Sequence, residues 1–201
     1  MQRKLVIFDM DGTLTEPLLD FDAIRRELGL PEKAPIIEGI AAMDADRRAA
    51  GERILDRHEM AAAGKCVLMP GAKATLAALH SRGVRAALLT RNSRACAETV
   101  LRRHSLNFCH VATRENGPHK PHPGSIFNIL RACGVQAAEA VMVGDYLFDL
   151  QAAAGAGVDS VLLLAPEKKP QWAYSATWRI ARLPELLPLI GIHGAAAAAG
   201  K

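Results

Sequence analysis

The spacing of apolar residues changes twice along the chain. The first apolar segment is the uninterrupted run Leu5–Phe8, whose β-forming residues predict a buried strand. From about residue 20 to residue 64 the spacing becomes helical, as in the stripe at i, i+3 and i+7 formed by Phe21, Ile24 and Leu28. From Val67 onward, short apolar runs alternate with helical stripes. We therefore predict one strand, a helical insert, and then a regular alternation of helices and strands.

Five apolar runs after residue 67 predict further strands, at residues 84–89, 108–112, 140–143, 160–164 and 178–180. Helical stripes lie between most of these runs. Residues typical of helix ends flank the stripes, with Ser93 as an expected N-cap, Pro123 in a first turn, and Gly83 and Gly134 as stop signals. Strands that alternate with helices of about ten residues predict an α/β fold with a doubly wound, mostly parallel sheet covered on both faces.

A chain of 201 residues is long enough for one substantial core and a small second lobe. We predict a core made of residues 1–15 and 67–192, with a small helical domain at residues 16–66 inserted after the first strand. The alanine-rich segment 193–201 is of low complexity and is expected to be a disordered tail without a functional role.

Composition excludes several classes of protein. No apolar stretch approaches the roughly 20 residues that span a bilayer, and only a short apolar run precedes Asp9, which does not resemble a signal peptide. The net charge is only +4 and the basic residues are dispersed, with two tryptophans and two tyrosines not interleaved with them, which argues against a nucleic-acid platform. We expect a cytoplasmic protein without membrane or nucleic-acid partners; its oligomeric state stays open.

Four cysteines are widely spaced and form no C-x-x-C pair, at Cys66, Cys96, Cys109 and Cys133. Each lies in an apolar or helical context. This pattern indicates buried free thiols rather than a zinc site or a disulfide framework.

Chemically active residues follow the predicted strands. Asp9 and Asp11 come directly after the first strand, where strand alternation sends both side chains the same way and Gly12 lets the chain turn. Further polar residues follow three later strands, namely Thr90, Arg91 and Asn92, then Lys120, and finally Asp145 and Asp149. Ligands of open α/β sheets bind outside the carboxyl ends of the strands. We therefore expect these residues to meet at one edge of the sheet.

This set of residues has the composition of a phosphoryl-transfer site. The four carboxylates offer hard oxygen ligands, which suit Mg²⁺ better than a soft metal. The ammonium of Lys120 and the hydroxyl of Thr90 suit phosphate oxygens. Arg91 and Asn92 follow Thr90 directly and are candidates for the lining of the substrate pocket.

Four motifs in order resemble those of the haloacid dehalogenase-like hydrolase superfamily. Asp9-Met10-Asp11-Gly12-Thr13-Leu14-Thr15 is similar to the first motif, and Thr90 matches the second, a hydroxyl residue at a strand end. Lys120-Pro121-His122-Pro123 is similar to the third motif, and Gly144-Asp145-Tyr146-Leu147-Phe148-Asp149 to the fourth. The resemblance spans residues 4 to 165 and implies a Rossmann-like core.

The resemblance implies a role for each matching residue. Asp9 would be the nucleophile that forms an aspartyl-phosphate, and Asp11 would act as general acid and then general base. Thr90 and Lys120 would hold the phosphoryl oxygens. The implied Mg²⁺ ligands are Asp9, the backbone carbonyl of Asp11, Asp145, and Asp149 directly or through water.

The function expected from this set is a Mg²⁺-dependent phosphatase for a small phosphorylated metabolite. A second acid at Asp11 favours phosphate esters over haloalkanes, because an alkoxide leaving group needs a proton. Phosphoglycolate, a nucleoside monophosphate and a sugar phosphate all stay open as substrates. A phosphomutase of the β-phosphoglucomutase type, or a catalytically idle phosphate-binding module, are the alternatives.

The insert at residues 16–66 occupies the position of the family's helical cap. Such caps close over the site and choose the substrate. This insert is shorter than the full caps that phosphoglycolate phosphatases and β-phosphoglucomutases are expected to carry, so we predict a more open site. Its charged residues Arg47, Arg53, Arg57 and His58 are expected to be solvated rather than substrate ligands.

Overall fold

The six predicted strands are present, each within two residues of its expected bounds. They are β1 (Leu5–Phe8), β2 (Arg85–Leu89), β3 (His110–Ala112), β4 (Ala140–Gly144), β5 (Asp159–Leu163) and β6 (Trp178–Ile180). The computed structural model describes residues 3–17, 19–165, 167–168 and 170–192, and the predicted tail 193–201 lies outside these residues.

The strands form one sheet in the order β3-β2-β1-β4-β5-β6, and every neighbouring pair is parallel. The chain therefore winds outward from β1 to one edge and then returns to build the other half from β4. β1 lies between β2 and β4, at the point where the winding direction reverses. The predicted α/β doubly wound parallel sheet is confirmed, and its ligand crevice is expected at the carboxyl ends of these central strands.

Eight α-helices accompany the strands within the described residues. They are α1 (Phe21–Leu28), α2 (Ile36–Ala41), α3 (Ala45–Ala63), α4 (Ala72–Ser81), α5 (Arg94–His104), α6 (Gly124–Cys133), α7 (Leu147–Gly155) and α8 (Leu186–Leu189). Short 3₁₀ turns occupy Ala137–Glu139, Gln171–Ser175 and Leu183–Glu185. Ser93 caps α5 as predicted, because its hydroxyl accepts a hydrogen bond from the backbone N–H of Cys96 at 3.3 Å.

Strand β1 is fully buried, and its side chains alternate between the two faces of the sheet. Val6 and Phe8 join the cluster that includes residues of α4 and α5, whereas Leu5 and Ile7 join the cluster that includes residues of α6 and α7. Complete burial of one such side chain contributes about 1.5–3 kcal/mol. The apolar run is uninterrupted because both faces of this strand are covered by helices.

The insert has a hydrophobic cluster of its own, to which α1, α2 and α3 contribute. Ile24 and Leu28 of the predicted stripe are buried in it, but Phe21 is 48% exposed. The 19-residue helix α3 runs on from this cluster and packs against α5 of the core. None of the described helices is long and apolar enough to cross a membrane.

The prediction of buried free thiols holds for three cysteines and is wrong for the fourth. Cys66, Cys96 and Cys133 are buried, whereas Cys109 is exposed. Cys109 directly precedes β3 at the edge of the sheet, where no further strand covers the chain. All four thiols are free.

Candidate active site

The loop after β1 is a tight turn that presents two acids. The backbone N–H of Asp9 donates to the carbonyl of Val143 on β4 at 2.9 Å, which continues the pairing of the two strands. The N–H groups of Leu14 and Thr15 then donate back to the carbonyl of Met10 at 2.8 and 2.9 Å. This turn fixes the backbone on both sides of Asp11. The Asp9 carboxyl lies at the carboxyl end of the central strand, as the sequence predicts.

Lys120 joins the first acid to the fourth motif. Its ammonium, which is almost completely buried, contacts Oδ1 of Asp9 and donates to Oδ1 of Asp149 at 2.6 Å. The other carboxylate oxygen of Asp149 accepts from the backbone N–H of Tyr146 at 3.1 Å. Lys120 and Asp149 are therefore held in one charged network beside Asp9.

Three acids form a candidate metal site. Carboxylate oxygens of Asp9, Asp145 and Asp149 lie within 4.8 Å of one another, although β1 and β4 are far apart in sequence. Hard oxygen ligands at this spacing suit a divalent cation such as Mg²⁺. Among the described residues, the side-chain cation that pairs with these acids is the ammonium of Lys120. One buried ammonium beside three carboxylates leaves an excess of negative charge, so the cluster fits a bound metal ion.

Two glycines make room for these carboxylates. A Cβ atom on Gly12, which has a φ of +77°, would overlap the carboxylate of Asp145. A Cβ on Gly144 would likewise overlap the carboxylate of Asp149. The carboxylates of Asp145 and Asp149 therefore fit only because Gly12 and Gly144 have no side chain. The sequence indicated Gly12 only as a turn residue and gave no signal for Gly144.

Burial is the largest influence on the pKa values of Asp9 and Asp145. It raises the pKa of Asp9 well above the ordinary value, and the Lys120 ammonium opposes this shift. Burial, followed by the charge of Asp149, raises the pKa of Asp145 to about 7. For Lys120, burial lowers the pKa, but the carboxylates of Asp149 and Asp9 outweigh it and raise the pKa above the ordinary value. Lys120 is therefore a permanent cation in this site.

Asn92 holds the second acid. Its side-chain amide donates to Oδ2 of Asp11 at 2.6 Å, and its backbone N–H donates to the hydroxyl of Thr90 at 3.1 Å. Thr90 is 2% exposed and lies directly after β2. Burial raises the pKa of the Asp11 carboxyl, and the hydrogen bond from Asn92 opposes this shift. The segment after β2 therefore positions Asp11 in addition to presenting a hydroxyl.

Arg91 connects the core to the insert. One guanidinium nitrogen donates to the backbone carbonyl of Lys120 at 2.7 Å, and the other donates to both carboxylate oxygens of Glu38 on α2, at 2.7 and 2.8 Å. The guanidinium also lies over the ring of Phe148, 4.9 Å from its centroid. Arg91 therefore clamps the insert beside the acids rather than presenting a free cation.

A cavity of about 640 Å³ joins these groups. All eight residues predicted from the sequence line it, namely Asp9, Asp11, Thr90, Arg91, Asn92, Lys120, Asp145 and Asp149. The insert supplies most of the remaining wall with residues of α1, α2, α3 and the loops beside them, and Tyr146 and Phe148 of the core complete it. The structure thus brings the predicted residues to one place, between the core and the insert.

Two of the charged residues of the insert that we expected to be solvated pair with an acid of the insert itself. Arg57 contacts Glu27, and His58 lies 2.9 Å from the same carboxylate. In the loop beside Lys120, the ring of His122 accepts from the backbone N–H of Gly124 at 2.9 Å, and His119 lies 3.6 Å from Glu38. None of these four side chains lines the cavity.

Glu59 is a residue of the cavity that sequence reasoning missed. It is 2% exposed on α3, accepts from the backbone N–H of Ser93 at 2.9 Å, and pairs with Arg114 at 2.6 Å. Arg114 also pairs with Asp56, one turn earlier on the same helix. These contacts fasten α3 to the start of α5. No local pattern reveals them, because the partners lie more than 30 residues apart.

Comparison with known proteins identifies relatives of this chain. The family model for haloacid dehalogenase-like hydrolases matches residues 3–157. A phosphoglycolate phosphatase of Pseudomonas syringae pv. tomato is 33% identical over 187 residues, covering 80% of this chain and 69% of that protein. A second relative is a haloacid dehalogenase-like hydrolase domain-containing protein of Arabidopsis thaliana, which is 32% identical over 155 residues. The match covers 72% of this chain but only 63% of the length of that protein.

Solved structures agree on the fold. The crystal structure of a hydrolase from Pseudomonas syringae superimposes with a TM-score of 0.79, covering 92% of this chain and 97% of that chain at 18% identity. At this identity the likeness supports the architecture alone. It agrees with the α/β fold of this chain.

Proposed function

Because the chain belongs to the haloacid dehalogenase-like hydrolase family, we propose that it is a Mg²⁺-dependent phosphatase. Its substrate is a small phosphorylated metabolite, and the reaction proceeds through an aspartyl-phosphate. The observation that carries the proposal is the cluster of Asp9, Asp145 and Asp149, whose oxygens lie within 4.8 Å of one another with the Lys120 ammonium in contact. This combination of acids and one buried cation suits the transfer of an anionic group.

In the first step Asp9 is the nucleophile. A carboxylate oxygen of Asp9 forms a bond to phosphorus, and the bond from phosphorus to the ester oxygen breaks. Asp11 donates its proton to the departing oxygen, which leaves as an alcohol. Burial raises the pKa of Asp11, which favours the protonated form that this step requires.

In the second step a water molecule attacks phosphorus and the bond to Asp9 breaks. Asp11, now ionised, accepts a proton from that water. Inorganic phosphate leaves, and both acids return to their starting state. The hydrogen bond from Asn92 to Oδ2 of Asp11 supports this ionised form and fixes the orientation of the carboxyl.

The remaining residues of the site offset the negative charge of the phosphoryl group, either directly or by holding a metal ion. Asp9, Asp145 and Asp149, with the backbone carbonyl of Asp11, would hold the Mg²⁺. When bound, the ion supplies positive charge that offsets the repulsion between the carboxylates and the phosphoryl group. Lys120 adds a fixed ammonium, and the hydroxyl of Thr90 provides a donor for a phosphoryl oxygen.

The insert acts as the cap of this site in our proposal. It closes one side of the cavity and is held to the core by the pairs of Arg91 with Glu38 and of Arg114 with Glu59. We also propose that the enzyme works in the cytoplasm, because free thiols at all four cysteines fit a reducing compartment.

Phosphate release from a panel of phosphorylated metabolites tests this proposal. Wild-type protein should release inorganic phosphate in Mg²⁺, lose this activity in EDTA, and regain it when Mg²⁺ is restored. The variant Asp145→Asn should be inactive, whereas Asp46→Asn, which alters an exposed acid of α3 outside the cavity, should match the wild type. Turnover that persists in EDTA, or in Asp145→Asn, would contradict the proposal.

A further inference from the structure

The lining of this cavity has a buried, charged part, which we call its inner end, and an exposed, aromatic part, which we call its outer end. At its inner end Asp9, Thr90 and Lys120 are all buried. At its outer end Phe21 is 48% exposed and Tyr146 is 51% exposed, although both are large hydrophobic side chains. The two ends therefore offer different chemistry, since only the inner end is lined by buried charged groups.

The exposed aromatic residues come from both sides of the cavity. Phe21 is the first residue of α1 in the insert, and Tyr146 directly precedes α7 in the core. The ring of Tyr146 makes edge contacts with Phe148 at 5.1 Å and with Trp172 at 5.7 Å between centroids. A single exposed aromatic side chain is common on a protein surface. Two such side chains line the same cavity as the catalytic acids, and each leaves apolar surface that a ligand can cover.

The arginines of this cavity are already paired. Arg25 donates to the carboxylate of Asp22 at 2.8 Å and to the carbonyl of Ala34 at 2.9 Å. Arg91 is held by Glu38 and by the carbonyl of Lys120. Lys33 also lines the cavity, but it is exposed to solvent, which screens its charge. The outer end therefore offers little desolvated positive charge for a second anionic group of the substrate.

We propose that the alcohol released by this enzyme carries a flat aromatic ring that binds between Phe21 and Tyr146. The ring is a nucleobase or another aryl group, and its face covers the exposed aromatic side chains. This inference rests on the proposed phosphatase function and specifies its substrate class. It also separates the chain from relatives named for phosphoglycolate, whose two-carbon alcohol has no ring.

The size of the cavity agrees with this assignment. A volume of about 640 Å³ lies within the range of about 300–1,000 Å³ that is typical of pockets for ligands of drug size. Stacking of a base on an aromatic side chain commonly changes binding by about fivefold to a hundredfold. An aromatic group should therefore raise kcat/KM measurably over a substrate that differs only by its absence.

Two matched pairs of substrates test the inference, with phosphate release in Mg²⁺ as the readout. Adenosine 5′-monophosphate against ribose 5-phosphate examines a nucleobase, and benzyl phosphate against methyl phosphate examines an aryl group. We expect kcat/KM to be at least about tenfold higher for the ring-bearing member of at least one pair. The preferred pair identifies the source of the ring.

Variants of Phe21 link the preference to this surface. In Phe21→Ala the ratio of kcat/KM within the preferred pair should fall by about fivefold. Phe21→Leu keeps an apolar but not an aromatic side chain, so its ratio should lie between those of the wild type and of Phe21→Ala. Phe127→Ala is the matched control, because Phe127 is 45% exposed on α6 and lies outside the cavity. This control should keep the wild-type ratio.

The outcomes separate this inference from the proposed function. If no substrate yields phosphate in Mg²⁺, the proposed function itself fails. If phosphate is released but neither pair shows a preference for the ring, the inference alone is overturned. It is also overturned if the preference is present but unchanged in Phe21→Ala.

Discussion

The ammonium of Lys120 donates to Oδ1 of Asp149 at 2.6 Å, and the two side chains are only 4% and 3% exposed. The same ammonium contacts Asp9, so one buried cation pairs with an acid that follows β1 and with an acid of α7. A buried charge is stable only when it is paired. This network therefore holds the loop of the third motif against the acids of the first and fourth.

Replacement of Lys120 by methionine should remove both activity and stability. The variant leaves the acids without their cation, and loss of one partner of a buried pair costs about 3–5 kcal/mol. We expect phosphate release to fall by at least about a hundredfold, because a donor to the transferring group is lost. Urea unfolding and phosphate release on the same preparation measure the two effects.

Added Mg²⁺ should partly restore the stability of Lys120→Met, because a bound cation stabilises the folded state by mass action. Lys4→Met is the control. Lys4 also pairs with a carboxylate, Glu139, but its side chain is 60% exposed, so its loss should cost at most about 1 kcal/mol. A Lys120→Met protein with wild-type turnover would show that another group supplies the positive charge.

Substitution of Gly12 by alanine should disrupt the metal site. Gly12 has a φ of +77°, and a Cβ at this position would overlap the carboxylate of Asp145. We expect Gly12→Ala to lose Mg²⁺ binding, which calorimetric titration of the metal-free protein measures directly. Backbone strain adds a loss of stability of about 1–2 kcal/mol.

Gly83→Ala is a matched control for this effect. Gly83 has a similar φ of +70°, but nothing lies within 4 Å of a Cβ built there. It should show the same strain while binding Mg²⁺ as tightly as the wild type. Equal Mg²⁺ affinity in the two variants would mean that the contact between Gly12 and Asp145 does not shape the site.

The buried Glu59 should contribute a pH-dependent term to stability. Burial raises its pKa above the ordinary value of a glutamate, and Arg114 opposes this shift. Above about pH 4.3 the glutamate of the unfolded chain loses its proton first. Because the folded state then binds more protons, the free energy of unfolding falls with rising pH, by at most about 1.4 kcal/mol per pH unit, until the folded group also ionises.

Comparison with Glu59→Gln isolates this term, since the variant lacks the titrating group. The free energy of unfolding of the wild type minus that of the variant should decrease as the pH rises from about 4.3 through the pKa of the folded state. Urea unfolding at several pH values provides the measurement. An increase over the same range would show that the pairing with Arg114 outweighs burial.

Much of the fold was predictable because its signals are local. The apolar run of β1 must be continuous when both faces of the strand are covered, and this continuity is visible in the sequence. The meeting of Asp9, Thr90 and Lys120 followed from one rule, that the carboxyl ends of parallel strands share an edge. Residues far apart in the chain were therefore placed together without any knowledge of their contacts.

The contacts that the sequence did not reveal depend on tertiary geometry. Arg91 and Glu38 are separated by 53 residues, and neither belongs to a pattern that indicates the other. Phe21 has the spacing of a buried helical position, but it is the first residue of α1 and faces the cavity instead. The need for glycine at position 144 arises only from the position of the Asp149 carboxylate in the folded chain.

The most direct test of the account is the identification of the phosphorylated residue during turnover. Acid quenching followed by peptide mass analysis should find the mass of one phosphoryl group on Asp9. The adduct should accumulate in Asp11→Asn with an activated aryl phosphate, whose leaving group needs no proton, and be absent from Asp9→Asn. A phosphoryl group on any other residue, or phosphate release by Asp9→Asn at the wild-type rate, would contradict the account.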